Sequence, residues 1–190
     1  MLKFNNEQKK NIWLCSDWHF GHDREFIYKP RGFNSINEMN EAIIERHNSK
    51  VAPTDIVFCL GDCMLGENEK GIEYIKKLNG NIYIILGNHD TDKRIELYKQ
   101  IPNVKILGYS TLIKVGKHPY YLSHYPTLTG NFDVPYPLNL YGHTHQQTSF
   151  YNEKPFMYHV GMDSHNCYPI NFEDILIEIK EKIKECESFL

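Results

Sequence analysis

Residues 82–90 read Ile82-Tyr83-Ile84-Ile85-Leu86-Gly87-Asn88-His89-Asp90, and this stretch decides the fold. Five apolar and aromatic residues rich in β-branching specify a strand. Gly87 ends it, and side chains able to bind a metal or move a proton follow at once. Working outward, the same event recurs. The apolar run 12–16 turns polar at Asp17-Trp18-His19-Phe20-Gly21-His22, and the run 56–60 breaks at Gly61-Asp62. His124 follows the run 120–123, and Gly142-His143-Thr144-His145 follows 140–141.

Helical signals lie between the first strands. Ser35-Ile36-Asn37-Glu38 has the form of a capping box, and Ile36, Met39, Ile43 and His47 recur at helical spacing behind it. Residues 67–78 and 92–101 read as two further helices, stopped near Gly80 and Pro102. Strand and helix thus alternate in the first half, which implies a parallel sheet with crossover helices. Short strands at 104–107, 112–115, 120–123, 140–141 and 157–160 fill the second half. Residues 171–190 close the chain as an amphipathic helix, with Ile175, Ile179 and Ile183 on one stripe and Asn171 as N-cap. The expected fold class is α/β, α+β-like in its second half. Two face-to-face mixed β-sheets flanked by helices form a four-layer sandwich, in a single domain over 1–190.

The chain has 190 residues, 41% hydrophobic and 24% charged, with a formal net charge of −3. That balance speaks against a protein that tracks extended nucleic acid, which would be basic. It leaves a small anionic substrate open, because bound cations can supply positive charge locally. The five cysteines show no paired framework, no apolar run follows the polar first residues, and no stretch is long enough to span a membrane. The expectation is a cytoplasmic protein without a membrane partner. Cys59 and Cys63 are read as buried thiols.

The ten histidines fall mostly in short polar clusters at strand ends. Loops at the carboxyl ends of strands form a crevice in open α/β sheets, so these residues can converge from distant stretches. Asp, His and Asn offer oxygen and nitrogen donors that suit Mn, Fe, Zn or Ni rather than a sulfur site. A carboxylate can bridge two cations. Cations about 3.5–4 Å apart can activate a water and steady both oxygens of an in-line displacement at phosphorus.

Asp17-Trp18-His19, Gly61-Asp62, Gly87-Asn88-His89-Asp90, Ser123-His124 and Gly142-His143-Thr144-His145 together resemble the ordered motif set of the calcineurin-like metallophosphoesterases. The blocks stand in that family's order and span nearly the whole chain. The resemblance implies two divalent metal ions. Asp17, His19 and His145 would hold the first, and Asn88, His124 and His143 the second. Asp62 would bridge them. His89 would face the substrate and stabilise or protonate the leaving oxygen. The implied activity is hydrolysis of a small phosphate ester by a bridging water, a nucleotide among the candidates, with diesters favoured over monoesters. One departure bears on the branch. Protein phosphatases continue the second block with an acid and an arginine, where this chain has Leu65 and Gly66. Asp90 is then the acid nearest His89 in sequence and the catalytic candidate to orient it.

Other candidates are individually weaker. His22 can touch the substrate or donate a proton. Arg24 and Arg31, in a loop with Lys29, can steer a phosphate. His165 and Asn166 can rim the cleft. His159 reads as a core or sheet-face residue, and His47 and His118, taken singly, as solvated surface. Residues 125–138 form a long loop with three prolines whose Tyr125, Phe132 and Tyr136 can stack on a base or pack the loop down. The alternative functions are a nuclease acting on short or terminal nucleic acid, and a non-catalytic scaffold of the same fold.

Overall fold

The computed structural model describes residues 1–129 and 137–188. In chain order the elements are β1 (Leu2–Phe4), β2 (Ile12–Cys15), α1 (Glu25–Tyr28), α2 (Ile36–Lys50), β3 (Ile56–Cys59), α3 (Asn68–Lys76), β4 (Asn81–Ile85), α4 (Asp92–Tyr98) and β5 (Val104–Gly108). They continue as β6 (Ser110–Val115), β7 (His118–Ser123), β8 (Leu138–Tyr141), β9 (Met157–His159), β10 (Ile170–Asn171) and α5 (Phe172–Ser188). One sheet has the order β10-β2-β3-β4-β5, the other β1-β6-β7-β8-β9. In the first, β2 to β5 run parallel and β10 joins antiparallel. In the second, β6 and β7 pair antiparallel and the remaining pairs are parallel. Two mixed sheets flanked by helices are the fold class expected.

Side-chain alternation builds two cores from one sheet. On β2, Ile12 and Leu14 point to one face and Cys15 to the other; on β3, Phe58 opposes Val57 and Cys59. Strands buried on both faces must be apolar at nearly every position, as these are. One core packs the first sheet against Met39 and Ile43 of α2, Ile75 of α3 and Tyr98 of α4. The other lies between the sheets, where Leu14, Phe58 and Ile85 meet Ile113, Leu122, Leu140 and Tyr158. α5 adds Phe172, Ile175 and Ile179 to that second core. Fully burying one such side chain contributes roughly 1.5–3 kcal/mol, so these faces fix the strand register.

The caps behave as their sequences require. The Ser35 hydroxyl accepts from the Glu38 backbone N–H at 3.2 Å. The Glu38 carboxylate reaches one residue further out than a capping box does and accepts from the Asn34 N–H at 2.8 Å. Asn171 caps α5 by accepting from the Glu173 N–H. Three short elements, β1, α1 and β10, lie outside the sequence expectation. β1 is held by its parallel pairing with β6, a contact that no local signal announces.

His47 corrects the expectation of a surface residue: it is 1% exposed. It continues the Met39–Ile43 stripe of α2, so helical period outweighs its polarity. Its Nε2 donates to the Asn79 carbonyl at 2.9 Å, and its ring meets Trp18 edge-on. His159 is fully buried and His118 exposed, both as read. Cys59 and Cys63 are buried. Among the described residues no helix is long and apolar enough to cross a membrane. Phe132 and Tyr136 of the long loop, and the last residues of the expected closing helix, lie outside the described residues.

Candidate metal centre

The loops that follow β2 and β3 run side by side. Asp17, His19 and Phe20 donate backbone hydrogen bonds to the carbonyls of Gly61, Asp62 and Cys63, at 2.9, 3.1 and 3.1 Å. The loop after β4 is tied in by Asp90. Its carboxylate accepts from the N–H groups of Asp62, Cys63 and Gly87, and from the Tyr98 hydroxyl. Asp90 is therefore committed to holding two loops together, and this geometry replaces its reading as an orienter of His89. From the second sheet, His124 follows β7 and His143 and His145 follow β8. The first sheet thus brings Asp17, His19, Asp62 and Asn88, and the second brings three histidines.

These side chains meet. Donor atoms of Asp17, His19 and His145 lie within 4.8 Å of one another, and so do those of Asp17, Asp62 and His124. Asp62 Oδ2 stands between the two sides, 3.8 Å from His19 Nε2 and 3.5 Å from His124 Nε2. Asn88 Oδ1 is 3.0 Å from His124 Nε2. The His143 ring lies 5.0 Å from that of His124, centroid to centroid, and its backbone N–H donates to Asp17 Oδ2. His89 Nε2 is 3.9 Å from Asp62 Oδ2, on the open side, with 39% of its side chain exposed.

Whether cations fit is a question of which atoms carry hydrogens. His124 Nδ1 faces the Leu60 carbonyl at 2.7 Å and must donate to it, which in the neutral ring turns the Nε2 lone pair toward the centre. His145 Nδ1 donates to Asp163 Oδ2 at 2.8 Å, which fixes the ring with its Nε2 aimed into the centre, 3.2 Å from His19 Nε2. Asp17 Oδ1 is buried without a hydrogen-bond partner. A buried carboxylate oxygen without a partner is costly unless a cation lies beside it, and the oxygen-and-imidazole set suits a divalent transition metal. The backbone points the same way. Asp17, His19, Asp62, His143 and His145 all adopt left-handed φ values between 48° and 69°. Non-glycine residues rarely accept that conformation, at roughly 1–3 kcal/mol each, and such strain clusters at functional sites. Two glycines leave the needed room. A Cβ on Gly142 would stand 2.6 Å from Asp17 Oδ2, and one on Gly61, at φ +98°, would stand 2.8 Å from His124 Nδ1.

Electrostatics act oppositely on the two carboxylates. Burial opposes ionisation of Asp17, but His19, His124 and His145 outweigh it and hold the group below the usual carboxylate range. Burial dominates at Asp62 and raises it. Burial likewise pushes the His19 imidazole well down.

A cleft of about 470 Å³ opens beside the centre, with His19, His22, His89 and His145 on one wall. His22 stacks near His19 and His89, and burial together with His89 and Arg24 lowers it to about 4, so it is neutral at pH 7. The other expected substrate contacts sit elsewhere. Arg31 is buried at 1% side-chain exposure and forks onto Asp163, with Nε–Oδ1 3.0 Å and Nη2–Oδ2 2.8 Å. The same Nη2 donates to the Asp17 carbonyl at 3.0 Å, and Nη1 faces the Trp18 carbonyl and the Met39 sulfur, so Arg31 has no donor spare for a phosphate. Arg24 is exposed at the start of α1 and is not among the residues lining the cleft. His165 lies on another face, its Nε2 on the His159 carbonyl and its ring stacked on Tyr158. Asp163 is the functional residue that motif reading passed over. Its signal was present in the Gly161-Met162-Asp163 turn after β9, an acid beyond a strand end like the others.

A model of the family described as calcineurin-like phosphoesterase matches residues 10–182. An uncharacterized protein of Methanocaldococcus jannaschii is 31% identical over 186 residues, which cover 92% of this chain and 94% of that protein. The crystal structure of a protein of unknown function from Aquifex aeolicus aligns with a TM-score of 0.66 at 23% identity, over 86% of this chain and 96% of that one. At that identity the likeness speaks for the fold alone. The family match runs through the strand ends that carry the converging donors, and the chain belongs to the calcineurin-like phosphoesterase family of hydrolases acting on phosphate ester bonds.

Proposed function

We propose that the chain hydrolyses a small phosphate diester in preference to a monoester, with Asp17, His19 and His145 holding one divalent cation, Asn88, His124 and His143 a second, and Asp62 both. The supporting observation is the convergence of buried carboxylate and imidazole groups from both sheets, with Asp17 Oδ1 left without a hydrogen-bond partner among them. Two bound cations would supply Lewis acidity and a water of lowered pKa. The remaining work belongs to the chain. His89 faces the open cleft beside Asp62, where a positioned imidazole can stabilise phosphoryl oxygens and protonate the leaving oxygen. Arg94 anchors it by donating to its backbone carbonyl. His22, neutral in the same cleft, can donate one hydrogen bond to a non-bridging oxygen without adding charge. Leu65 and Gly66 replace the acid and arginine of protein phosphatases, and Leu65 lines the cleft. An ester carrying one negative charge and two organic arms suits such a wall better than a dianionic monoester.

Purified protein with Mn²⁺ is expected to turn over bis-p-nitrophenyl phosphate faster than p-nitrophenyl phosphate. Asp62→Ala should lose metal and activity together. His89→Ala should keep its metal and lose about 10²–10⁴-fold in turnover. Failure of both esters with Mn²⁺, Ni²⁺, Fe²⁺ and Zn²⁺ alike would remove the proposal, and metal loss in His89→Ala would reassign that residue.

A further inference from the structure

The apolar part of the cleft lining has a chemistry that hydrolysis at phosphorus does not use. Phe26, Ile27, Pro30 and Leu65 form it. Phe26 is 70% exposed on α1, while the two residues after it are buried. Its ring meets that of His22 edge-on at 5.7 Å, which places an accessible aromatic face one side chain away from the metal ligand His19. Single exposed apolar residues are ordinary on protein surfaces. This one is continuous with three more apolar side chains in a cleft of about 470 Å³. One water accounts for about 30 Å³ of liquid, so a phosphate group leaves most of that space for what is attached to it.

Charge narrows the class. Of the side chains lining the cleft, Asp163 carries a fixed charge, and Arg31 already neutralises it. Arg24 is not part of the lining, and no lysine is. Beyond the proposed cations, a polyphosphate or a nucleic-acid backbone entering here would find no lysine or arginine among the lining residues to replace its counterions. An uncharged flat group would find an aromatic face and an apolar floor.

We infer that this wall receives the organic arm of the substrate and that the arm is an uncharged planar ring, aryl or nucleobase, stacked on Phe26. The inference rests on the phosphoesterase reading for the phosphate and adds the identity of its ester group. The first test compares bis-p-nitrophenyl phosphate with methyl p-nitrophenyl phosphate, which share a leaving group and differ in the other arm. Losing one ring-on-ring stack should lower the ratio of their kcat/KM values about 5- to 100-fold in Phe26→Ala relative to the parent chain. Phe26→Leu keeps the apolar contact without the flat face and should fall with it. An unchanged ratio in Phe26→Ala overturns the inference, and a full ratio in Phe26→Leu overturns its planar part. Thymidine p-nitrophenyl phosphate then separates the sources: a gain over the phenyl arm assigns a nucleobase, and parity assigns a simple aryl group. Calorimetric binding of phenyl phosphate and methyl phosphate to the Mn²⁺-loaded chain is independent of turnover. A phenyl preference erased by Phe26→Ala supports the ring site even where no ester is hydrolysed, and equal binding of the two phosphates rules it out.

Discussion

Substitution at Asp163 separates what the metal ligands do from what holds them. Its two oxygens are shared between the Arg31 fork, at 3.0 and 2.8 Å, and His145 Nδ1, at 2.8 Å. Arg31 and Asp163 are 1% and 6% exposed in their side chains, so solvent screens the pair little. Burial opposes ionisation of Asp163, but its hydrogen bonds to His145 and Arg31 prevail and keep its carboxyl far below the ordinary range. Asp163→Ala strands a buried guanidinium, for which removal of one partner costs about 3–5 kcal/mol. Asp163→Asn is the gentler test. It keeps one acceptor oxygen for three donated N–H groups and sets an amide NH2 against the rest, so either His145 or Arg31 goes short. A histidine ligand that loses the partner fixing its tautomer typically costs 10–100-fold in metal affinity, which corresponds to about 1.4–2.8 kcal/mol. The loss should fall on the cation proposed at Asp17, His19 and His145, because His124 is oriented by the Leu60 carbonyl instead. Mn²⁺ titration by calorimetry on chelator-stripped protein reads both sites, and urea unfolding without metal reads the fold. Expected are one weakened and one unaltered binding event for Asp163→Asn, and a lowered unfolding midpoint for Asp163→Ala. Two events of parental affinity in Asp163→Asn, or equal weakening of both, would refute the reasoning.

Other outcomes follow from single contacts. Burial lowers His47 to about 4 against an ordinary 6.5. A depressed folded pKa means its stability contribution is complete above pH 6.5 and is lost as pH falls through 4. Up to about 3 kcal/mol is at stake, and His47→Gln should flatten that part of a urea-unfolding series between pH 7 and 4; parallel curves would contradict it. Asp90→Ala leaves four buried donors without their acceptor. At about 1–3 kcal/mol for each unsatisfied group, less than additively, a loss of at least about 3 kcal/mol is expected, and one under about 1 kcal/mol would show that the loops hold themselves. Gly142→Ala drives a methyl group toward Asp17 Oδ2. Mn²⁺ bound per chain, measured by atomic absorption after gel filtration, should drop, and full occupancy would mean that Asp17 is not a ligand.

What could be read from the sequence follows from where each signal is stored. β2, β3 and β4 are buried on both faces, so their apolar runs are continuous, and the residue after each run announces itself by contrast. Short strands such as β1 and β10 are held by pairing with distant partners, and three or two residues carry no period of their own. His47 shows the converse. Its place on the α2 stripe was visible, but polarity was allowed to outweigh period, although one backbone carbonyl is enough to satisfy a neutral imidazole in a core. The positions of the proposed ligands were legible because each sits at a strand end. The partners of those ligands were not, since Arg31 and Asp163 meet across 132 positions of sequence. Arg31 reads as a phosphate contact until its fork is seen to be occupied. Asp90, adjacent to His89, reads as its neighbour in space until its oxygens are traced to the Asp62 and Gly87 amides.

The donors arrive from both sheets, and that has a mechanical consequence. Cations held, as proposed, among Asp17 and Asp62 on one side and His124 and His145 on the other would be a rivet through the seam between the sheets. The rivet sits at the rim where the strands end, while the greasy interface of Leu14, Phe58 and Leu140 holds the middle shut. Stripping the ions should therefore let the rim gape before the middle parts, and amide exchange should quicken in the loops after β3 and β7 while β2 and β8 stay protected.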